Sequence, residues 1–536
     1  MPTQLAENIF KKSDFTHCQK LIVAVSGGGD SLALLFLLKD YFKILLSPPE
    51  IIVVTVDHQL REESAYEAQK VAEICHAYQI KHVIVRWEGV KPKTDVSQKA
   101  RVARYDLLFQ EAEKQGATLI MTGHTLNDQV ETYYMRCQRV LKDRAVLQQD
   151  KSFAFLRSEN ENVFDIGRGG KACVMRCGVE VDGVSQQGEQ GDSNNTWEEI
   201  GAASLLKEGD ELQDNGALIE RGLSCIAREA LLRQKVRLIR PLLGIKRDTL
   251  RAYLRLREIV WIDDPTNDDL RFERVRVRRS IHPKNFSKIA QKVNDAALKR
   301  RQYAQMIADL ILALDIVVEY GRCFIKRPAP FLRHHPGFPF VVGLFAVLMG
   351  GSSYLLASQK LSALNQKLCF HCLEKKRFTL AGSLIEYSQK GIAFWREARN
   401  IQEAIVLPGQ TLLWDGRYQI TNHEADALKV RAADLVHLKQ FLRYGEHFSS
   451  TNIGKDEVIG DMIDFESMVD CKRPHFPSLQ SLPLVLGAKG IDIPELSYFS
   501  CRHKVIVQRI LAPFDWLLLC EDAALINVIK PFFNIT

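Results

Sequence analysis

The chain is organised around residues 21–38, LIVAVSGGGDSLALLFLL. An apolar, β-branched run stops at Ser26, three glycines follow, and a long apolar stretch resumes after Asp30-Ser31. This pattern predicts a buried strand, a tight glycine turn and a buried helix. The glycines let the backbone approach a ligand closely. The helix start adds unpaired N–H groups and the positive end of its dipole, so the turn suits a phosphate.

Three phosphate-loop patterns compete for this segment. A Walker loop requires GxxxxGK[ST], and no such string occurs in the chain. A dinucleotide fingerprint requires a third glycine where Leu32 stands. The SGGxDS loop of the ATP pyrophosphatases is matched throughout by Ser26-Gly27-Gly28-Gly29-Asp30-Ser31. An acid at Asp30 repels phosphate unless a divalent cation lies between them, so this loop implies magnesium. A glycine turn that merely precedes a packed helix is the plainer alternative.

A length of 536 residues exceeds one core and implies about three domains. The 46% hydrophobic and 26% charged content is that of an ordinary globular protein. The net charge of +7 compels no partner by itself; its distribution says more. The opening MPTQLAENIFKKSDF lacks an apolar core, so no secretory signal is expected. Twelve cysteines without regular spacing read as reduced thiols of a cytoplasmic protein. Residues 338–357 are nearly long enough to span a membrane. Pro339, Gly350-Gly351 and two serines predict instead two buried helical pieces joined by a Gly-Gly turn.

Strand and helix then alternate. Ile51 to Val56 reads as a buried strand ending in Asp57-His58-Gln59-Leu60-Arg61, polar residues at the carboxyl edge where open α/β sheets bind ligands. Ser64–Tyr78 reads as a helix, His82–Trp87 as a strand, Ser97–Gln115 as a helix carrying Arg101, Arg104 and Tyr105, and Thr118–Thr122 as a strand. The expected fold is α/β, a doubly wound parallel sheet. After Thr122 comes GHTLNDQVET; if helical, it sets His124, Asp128 and Glu131 on one face. A solvated acidic face is the alternative. At the same sheet edge as the glycine loop, two carboxylates suit magnesium or an amine.

The pattern lapses from about 141 to 220. Between Gly178 and Glu220 eleven acids face one base, Lys207, so a flexible acidic insertion is expected at about 143–220. Arg237–Arg240 reads as a strand closed by Pro241, and Lys246–Arg257 as a helix. A polar turn at 262–269 precedes Arg271, Arg274, Arg276, Arg278 and Arg279, five arginines in nine residues. Concentrated arginine with an interleaved Phe272 suits an RNA backbone. Residues 285–320 read as helical and Phe378–Trp395 as a hairpin. Cys369-Phe370-His371-Cys372 is a lone CxxC, read as packed thiols because zinc needs further ligands. Leu412–Ile420 reads as two strands about an Asp-Gly turn, and the Lys472-Arg473-Pro474-His475 and Arg502-His503-Lys504 clusters touch RNA or solvent.

Taken together, SGGGDS at 26–31, VDHQLR at 56–61, ARVARY at 100–105, GHTLNDQVET at 123–132, RPLL at 240–243 and DPTNDDLRFERVRVRR at 264–279 resemble the tRNA(Ile)-lysidine synthetases, within the N-type ATP pyrophosphatases. Outside the insertion these motifs cover most of residues 18–280, and LLWDGRYQI at 412–420 is similar to that family's C-terminal domain. The chain departs from the family at Thr125, where a second histidine is usual. It departs again at a displaced remnant of an RGSG segment, Arg221-Gly222-Leu223.

The resemblance implies a PP-loop ATPase domain at 1–284, a helical middle domain at 285–400 that contacts tRNA, and a small mixed α/β C-terminal tRNA-binding domain at 401–536. It implies a ligase that uses ATP and magnesium to join free L-lysine to the wobble cytidine of tRNA(Ile) with a CAU anticodon, without a membrane and as a homodimer. Ser26, Gly27, Gly28, Gly29, Asp30, Ser31, Asp57, His58 and His124 would bind ATP. Asp30, Arg101, Arg104, Asp128 and Glu131 would be catalytic, with magnesium on Asp30 and Asp128, lysine on Asp128 and Glu131, and tRNA on the arginine run. A sibling that thiolates tRNA cytidine would carry paired CxxC motifs; a non-catalytic tRNA-binding protein would not need Asp30, Asp128 and Glu131 together.

Overall fold

The computed structural model describes residues 2–61, 63–149, 221–263, 268–368, 375–439, 475–496 and 502–535; of the insertion expected at about 143–220, residues 143–149 continue a helix and the rest lies outside the described residues, as do the CxxC and Lys472-Arg473-Pro474. Helix α1 (Pro2–Ile9) leads into β1 (Lys20–Ala24), then α2 (Gly29–Phe42), β2 (Glu50–Asp57), α3 (Glu63–Ala77), β3 (Lys81–Arg86), α4 (Val96–Gln115), β4 (Leu119–Thr122) and α5 (Leu126–Gln149). Next come β5 (Glu229–Leu232), β6 (Val236–Ile239), α6 (Arg247–Leu256) and α7 (Glu273–Ser280). Strands β3, β2, β1, β4 and β6 are parallel neighbours, and β5 runs antiparallel beside β6.

Alternate residues of β1 face opposite layers, as a period of two requires. Leu21 and Val23 pack against α1, α2 and α6, whereas Ile22 packs against Tyr105, Leu108 and Ala112 of α4. The sheet is therefore covered on both faces, which explains its continuous apolar strands. Helix α2 is apolar nearly all round because it lies between the sheet and α1 and α6; Leu32, Leu34, Leu35, Leu37 and Leu38 are wholly buried. Truncating one of these leucines to alanine should cost about 2–5 kcal/mol.

The middle region contains α8 (Phe286–Ala313), β7 (Ile316–Glu319), β8 (Arg322–Lys326), α9 (Phe338–Gly350), α10 (Ser358–Lys367), β9 (Lys376–Leu380), β10 (Ser383–Ser388) and β11 (Gly391–Arg396). It is not helical alone. Five antiparallel strands in the order β7-β8-β11-β10-β9 pack under α9, all of whose residues are buried. The apolar stretch at 338–357 is thus one helix rather than two pieces. Gly351 ends it in the left-handed conformation, and the next helix starts only at Ser358. Among the described residues no helix is long and apolar enough to cross a membrane.

Two small sheets follow, built from β12 (Ala404–Val406), β13 (Thr411–Trp414), β14 (Tyr418–Asn422), β15 (Leu428–Ala432), β16 (Pro483–Gly487), β17 (Gly490–Asp492) and β18 (Val505–Arg509). The Asp-Gly turn between β13 and β14 is present, with both of its residues at positive φ. The chain then returns to the N-terminal regions. Strand β19 (Leu517–Leu519) pairs antiparallel with β5 at the edge of the first sheet, and α11 (Ala523–Ile529) packs on α8.

Candidate active site

The glycine loop is closed from two sides. Gly27 has φ +88°, and a Cβ there would lie 2.8 Å from Ile262 Cδ1, so only glycine fits. Ile262 donates its N–H to the Gly27 carbonyl at 2.9 Å, and Trp261 lies against Gly29. Ser31 donates its hydroxyl to the Gly28 carbonyl at 2.9 Å and accepts the Ser26 N–H at 3.2 Å. The two serines brace the turn, and α2 begins with Gly28 at its N-cap. A Cβ at Gly123 would stand 3.0 Å from the Asp30 backbone, so the end of β4 lies directly on the loop. That contact brings GHTLNDQVET beside SGGGDS.

Three acids meet there. Asp30 Oδ2 accepts Arg247 Nε at 3.0 Å, while its Oδ1 is buried with no partner among the described residues. Burial pushes the Asp30 carboxyl above its ordinary range despite Arg247. Asp128 Oδ2 accepts the Thr125 N–H at 2.7 Å and hydroxyl at 2.9 Å, and its Oδ1 accepts Arg274 at 2.8 Å. Burial works against the charged form of Asp128, but Arg274 and its other partners hold it below the usual range. Glu131, 2% exposed, accepts Arg274 Nε at 2.6 Å and Arg278 Nε at 2.8 Å. His124 does not share their helix. Helix α5 starts at Leu126, so His124 stays in the preceding loop with its Nδ1 2.9 Å from the Thr122 hydroxyl.

A basic wall stands near the acids: His124 feels the charges of Arg240, Arg101 and Arg104 as well as that of Asp128. Arg104 has a buried Nε with no partner among the described residues, and Arg101 lies over the Tyr105 ring at 5.2 Å. Arg240 is almost fully buried, donates to the Ala227 carbonyl at 2.7 Å and reaches the Tyr105 hydroxyl at 3.5 Å. Burial would raise the Tyr105 phenol, yet Arg240, Arg101 and Arg104 bring it down to about 8. Burial and Arg240 hold His124 well below its ordinary value, and burial and Arg104 lower His58 to about 4. Both imidazoles are therefore neutral at pH 7. This wall is built to meet an anion.

Asp57 spends its carboxylate on the chain itself, accepting the Gln59 N–H at 2.9 Å and the Ser64 hydroxyl at 2.7 Å. It shapes the turn that carries His58. The arginine run divides in two. Arg274 and Arg278, one helical turn apart on α7, point at Glu131. Arg271, Arg276 and Arg279 are exposed; Arg271 pairs with Asp269, and Arg276 donates to the Leu270 carbonyl at 2.7 Å.

Arg240, Arg247, Ile262 and Trp261 belong to the site; the sequence marks the first as a strand end within RPLL, the second as part of a helix and the third as part of a turn, and singles out nothing at Trp261. An arginine in the otherwise apolar RPLL and a tryptophan before a polar turn were the available signals. Among the described residues, no group of three or more His, Cys, Asp or Glu is arranged to hold a metal by protein ligands alone. Magnesium does not require one, because it keeps waters and substrate phosphates around one or two carboxylates. The partnerless Oδ1 of Asp30 fits that role.

The PP-loop domain family matches residues 2–150 and 213–285. Over all 536 residues the chain is 59% identical to a tRNA(Ile)-lysidine synthase of Bartonella henselae, covering 100% of this chain and 99% of that one. It is 56% identical to the protein of that name from Bartonella quintana, again over 100% and 99%. A tRNA(Ile)-lysidine synthase of Brucella suis is 30% identical over 528 residues, 98% of this chain and 96% of its own. Full-length similarity at this level places the motif set in one continuous context, and the chain belongs to the tRNA(Ile)-lysidine synthase family.

Proposed function

We propose that this chain is an ATP-dependent ligase that joins free L-lysine to C2 of the wobble cytidine in tRNA(Ile) with a CAU anticodon. The observation that carries the reading is the meeting of three acids with a basic wall beside one glycine loop. Acids suit the amines of lysine, and the wall suits the polyphosphate and the activated base. The backbone N–H groups of Gly27, Gly28 and Gly29, with Ser26 and Ser31, bind the pyrophosphate portion of ATP. Magnesium, when bound at Asp30, supplies charge neutralisation at the phosphates.

The cytidine O2 attacks the α-phosphorus, the bond to the bridging oxygen breaks, and pyrophosphate leaves. Arg101 and Arg104 stabilise charge that builds on the α-phosphate. An amine of lysine, oriented by Asp128 and Glu131, then attacks C2. AMP departs with the former O2, and the amine gives up a proton. Positioning and electrostatics carry most of the rate, since little acid–base work is needed. The product base pairs with A rather than G, so the tRNA changes from methionine to isoleucine identity. The cytoplasm, which holds tRNA, ATP and free lysine, is the proposed location.

The test is incorporation of radiolabelled lysine into tRNA(Ile) with a CAU anticodon, with ATP and magnesium. A transcript whose wobble cytidine is replaced by uridine is the control. Label that requires both ATP and the cytidine supports the reading. Cleavage of ATP to AMP and pyrophosphate without label would overturn the nucleophile, and neither signal would point to a tRNA-binding protein.

A further inference from the structure

Arg247 opens α6 and reaches the place where the three acids meet. Its Nε donates to Asp30 Oδ2 at 3.0 Å, and its terminal nitrogens lie 3.6 Å from Asp128 Oδ1 and 3.8 Å from Glu131 Oε1. The Asn127 side chain accepts its backbone N–H at 3.0 Å, so α5 fixes where the residue starts. The acids do not depend on Arg247 equally. Asp128 and Glu131 have closer partners in Arg274 and Arg278, at 2.8, 2.6 and 2.8 Å. Asp30, among the described residues, has Arg247 as its one ion-pair partner.

Three carboxylates facing three guanidiniums make a neutral cluster. A divalent cation arriving at the open Oδ1 of Asp30 adds two charges beside the guanidinium that already holds Oδ2 of the same carboxylate, which is costly unless that resident cation withdraws. Arginine cannot withdraw by losing its proton; it must move. We propose that Arg247 is the resident counter-ion of Asp30 and that a divalent cation displaces it, so that metal and guanidinium exclude one another at the loop acid. Still tethered at Asn127, the released side chain stays beside the glycine loop as a donor for the polyphosphate that the metal accompanies. Arg247 is thus a positioning residue that holds the Asp30 carboxyl oriented before ATP arrives. The inference rests on the metal role proposed for Asp30, and the test separates the two.

The experiment is a manganese titration of the nucleotide-free enzyme, followed by electron paramagnetic resonance, for the unaltered chain, R247Q, R247K and the double variant D30N/R247Q. Removing the competing charge should tighten manganese binding in R247Q by about tenfold. Unchanged or weaker binding in an R247Q protein that melts like the unaltered chain overturns the proposal. If R247Q melts lower, R247K decides. Lysine keeps the charge but loses the planar fork, so binding tighter by about threefold supports exclusion and unchanged binding overturns it. Manganese binding that survives in D30N/R247Q overturns the metal role of Asp30 itself, which is a different failure.

Discussion

Thr125 donates both its backbone N–H and its hydroxyl to one oxygen of Asp128, at 2.7 and 2.9 Å, and leaves the other oxygen to Arg274. The threonine is fully buried just before α5, and its carbonyl accepts the Gln129 N–H at 3.3 Å, so it occupies the helix's N-cap position while fixing a site carboxylate. Thr125→Ala should cost about 1–2 kcal/mol of stability, while Thr125→Ser should cost little. Thermal melts check the stability. A rise in KM for lysine in the alanine variant, without a matching fall in ATP affinity, checks the link to Asp128.

Glu131→Gln tests the acid that is 2% exposed and shared by Arg274, Arg278 and Arg247. Glutamine keeps the shape but removes the charge that compensates these guanidiniums. The expected loss is about 2–4 kcal/mol of stability together with lysidine formation. ATP–pyrophosphate exchange should persist better than lysine incorporation, because the phosphate loop is untouched. Equal loss of both would move Glu131 from the lysine step to the ATP step.

The division of the arginine run predicts two phenotypes. Arg276→Ala and Arg279→Ala remove exposed charges, so each should weaken tRNA binding and lower the salt dependence by about one counter-ion, with stability nearly unchanged. Arg274→Ala and Arg278→Ala uncover Asp128 or Glu131 and should instead depress turnover and stability. Filter binding at several salt concentrations, set beside single-turnover rates, separates the pairs.

Acid should destabilise the folded chain through its buried histidines. Burial and Arg104 lower His58 to about 4, and burial and Arg322 lower His475 to about 4, against an ordinary 6.5. His124 is also lowered. Across that interval the unfolded chain binds protons that the folded chain does not, so stability rises with pH there. The contribution is complete above about pH 6.5 and is lost as the pH falls toward 4. Melting temperatures taken between these values should show the slope, and His475→Asn, far from the loop, should flatten it.

The strand, glycine turn and helix at 21–42 were legible because local periodicity and turn chemistry alone specify them. The Asp-Gly hairpin was legible for the same reason. His124 was misplaced because the cap at Thr125 starts the helix two residues beyond it. The inward pair in the arginine run was missed although its signal was present. Arg274 and Arg278 stand four apart, as neighbours on one helix face must, and two acids three apart waited for them on α5. Strand β19 could not be read at all. Three leucines carry no period, and their partner β5 lies far back in the chain, where only tertiary packing selects it.

That return of the chain yields the last prediction. Asp522, 2% exposed, follows β19 and accepts Arg221 at 2.6 Å and Arg300 at 3.1 and 2.5 Å. Arg221 follows the insertion and Arg300 lies on α8, so one carboxylate ties the C-terminal segment to the catalytic and middle regions. Burial opposes its charge, yet the two guanidiniums hold it below the usual range. Asp522→Ala leaves both arginines buried without compensation and should cost about 3–5 kcal/mol. Because Arg300 also donates to the Arg221 carbonyl at 3.1 Å and the Ser224 hydroxyl at 3.0 Å, the segment at 221–225 should loosen with it. Arg136, which bonds the Gly222 and Cys225 carbonyls from α5, would transmit that loosening to the helix that carries Asp128 and Glu131. Hydrogen exchange should therefore accelerate at 221–225 and along α5 in Asp522→Ala, with lysine incorporation reduced. Faster exchange confined to β19 and α11 would show that the C-terminal segment stabilises its own docking and nothing more.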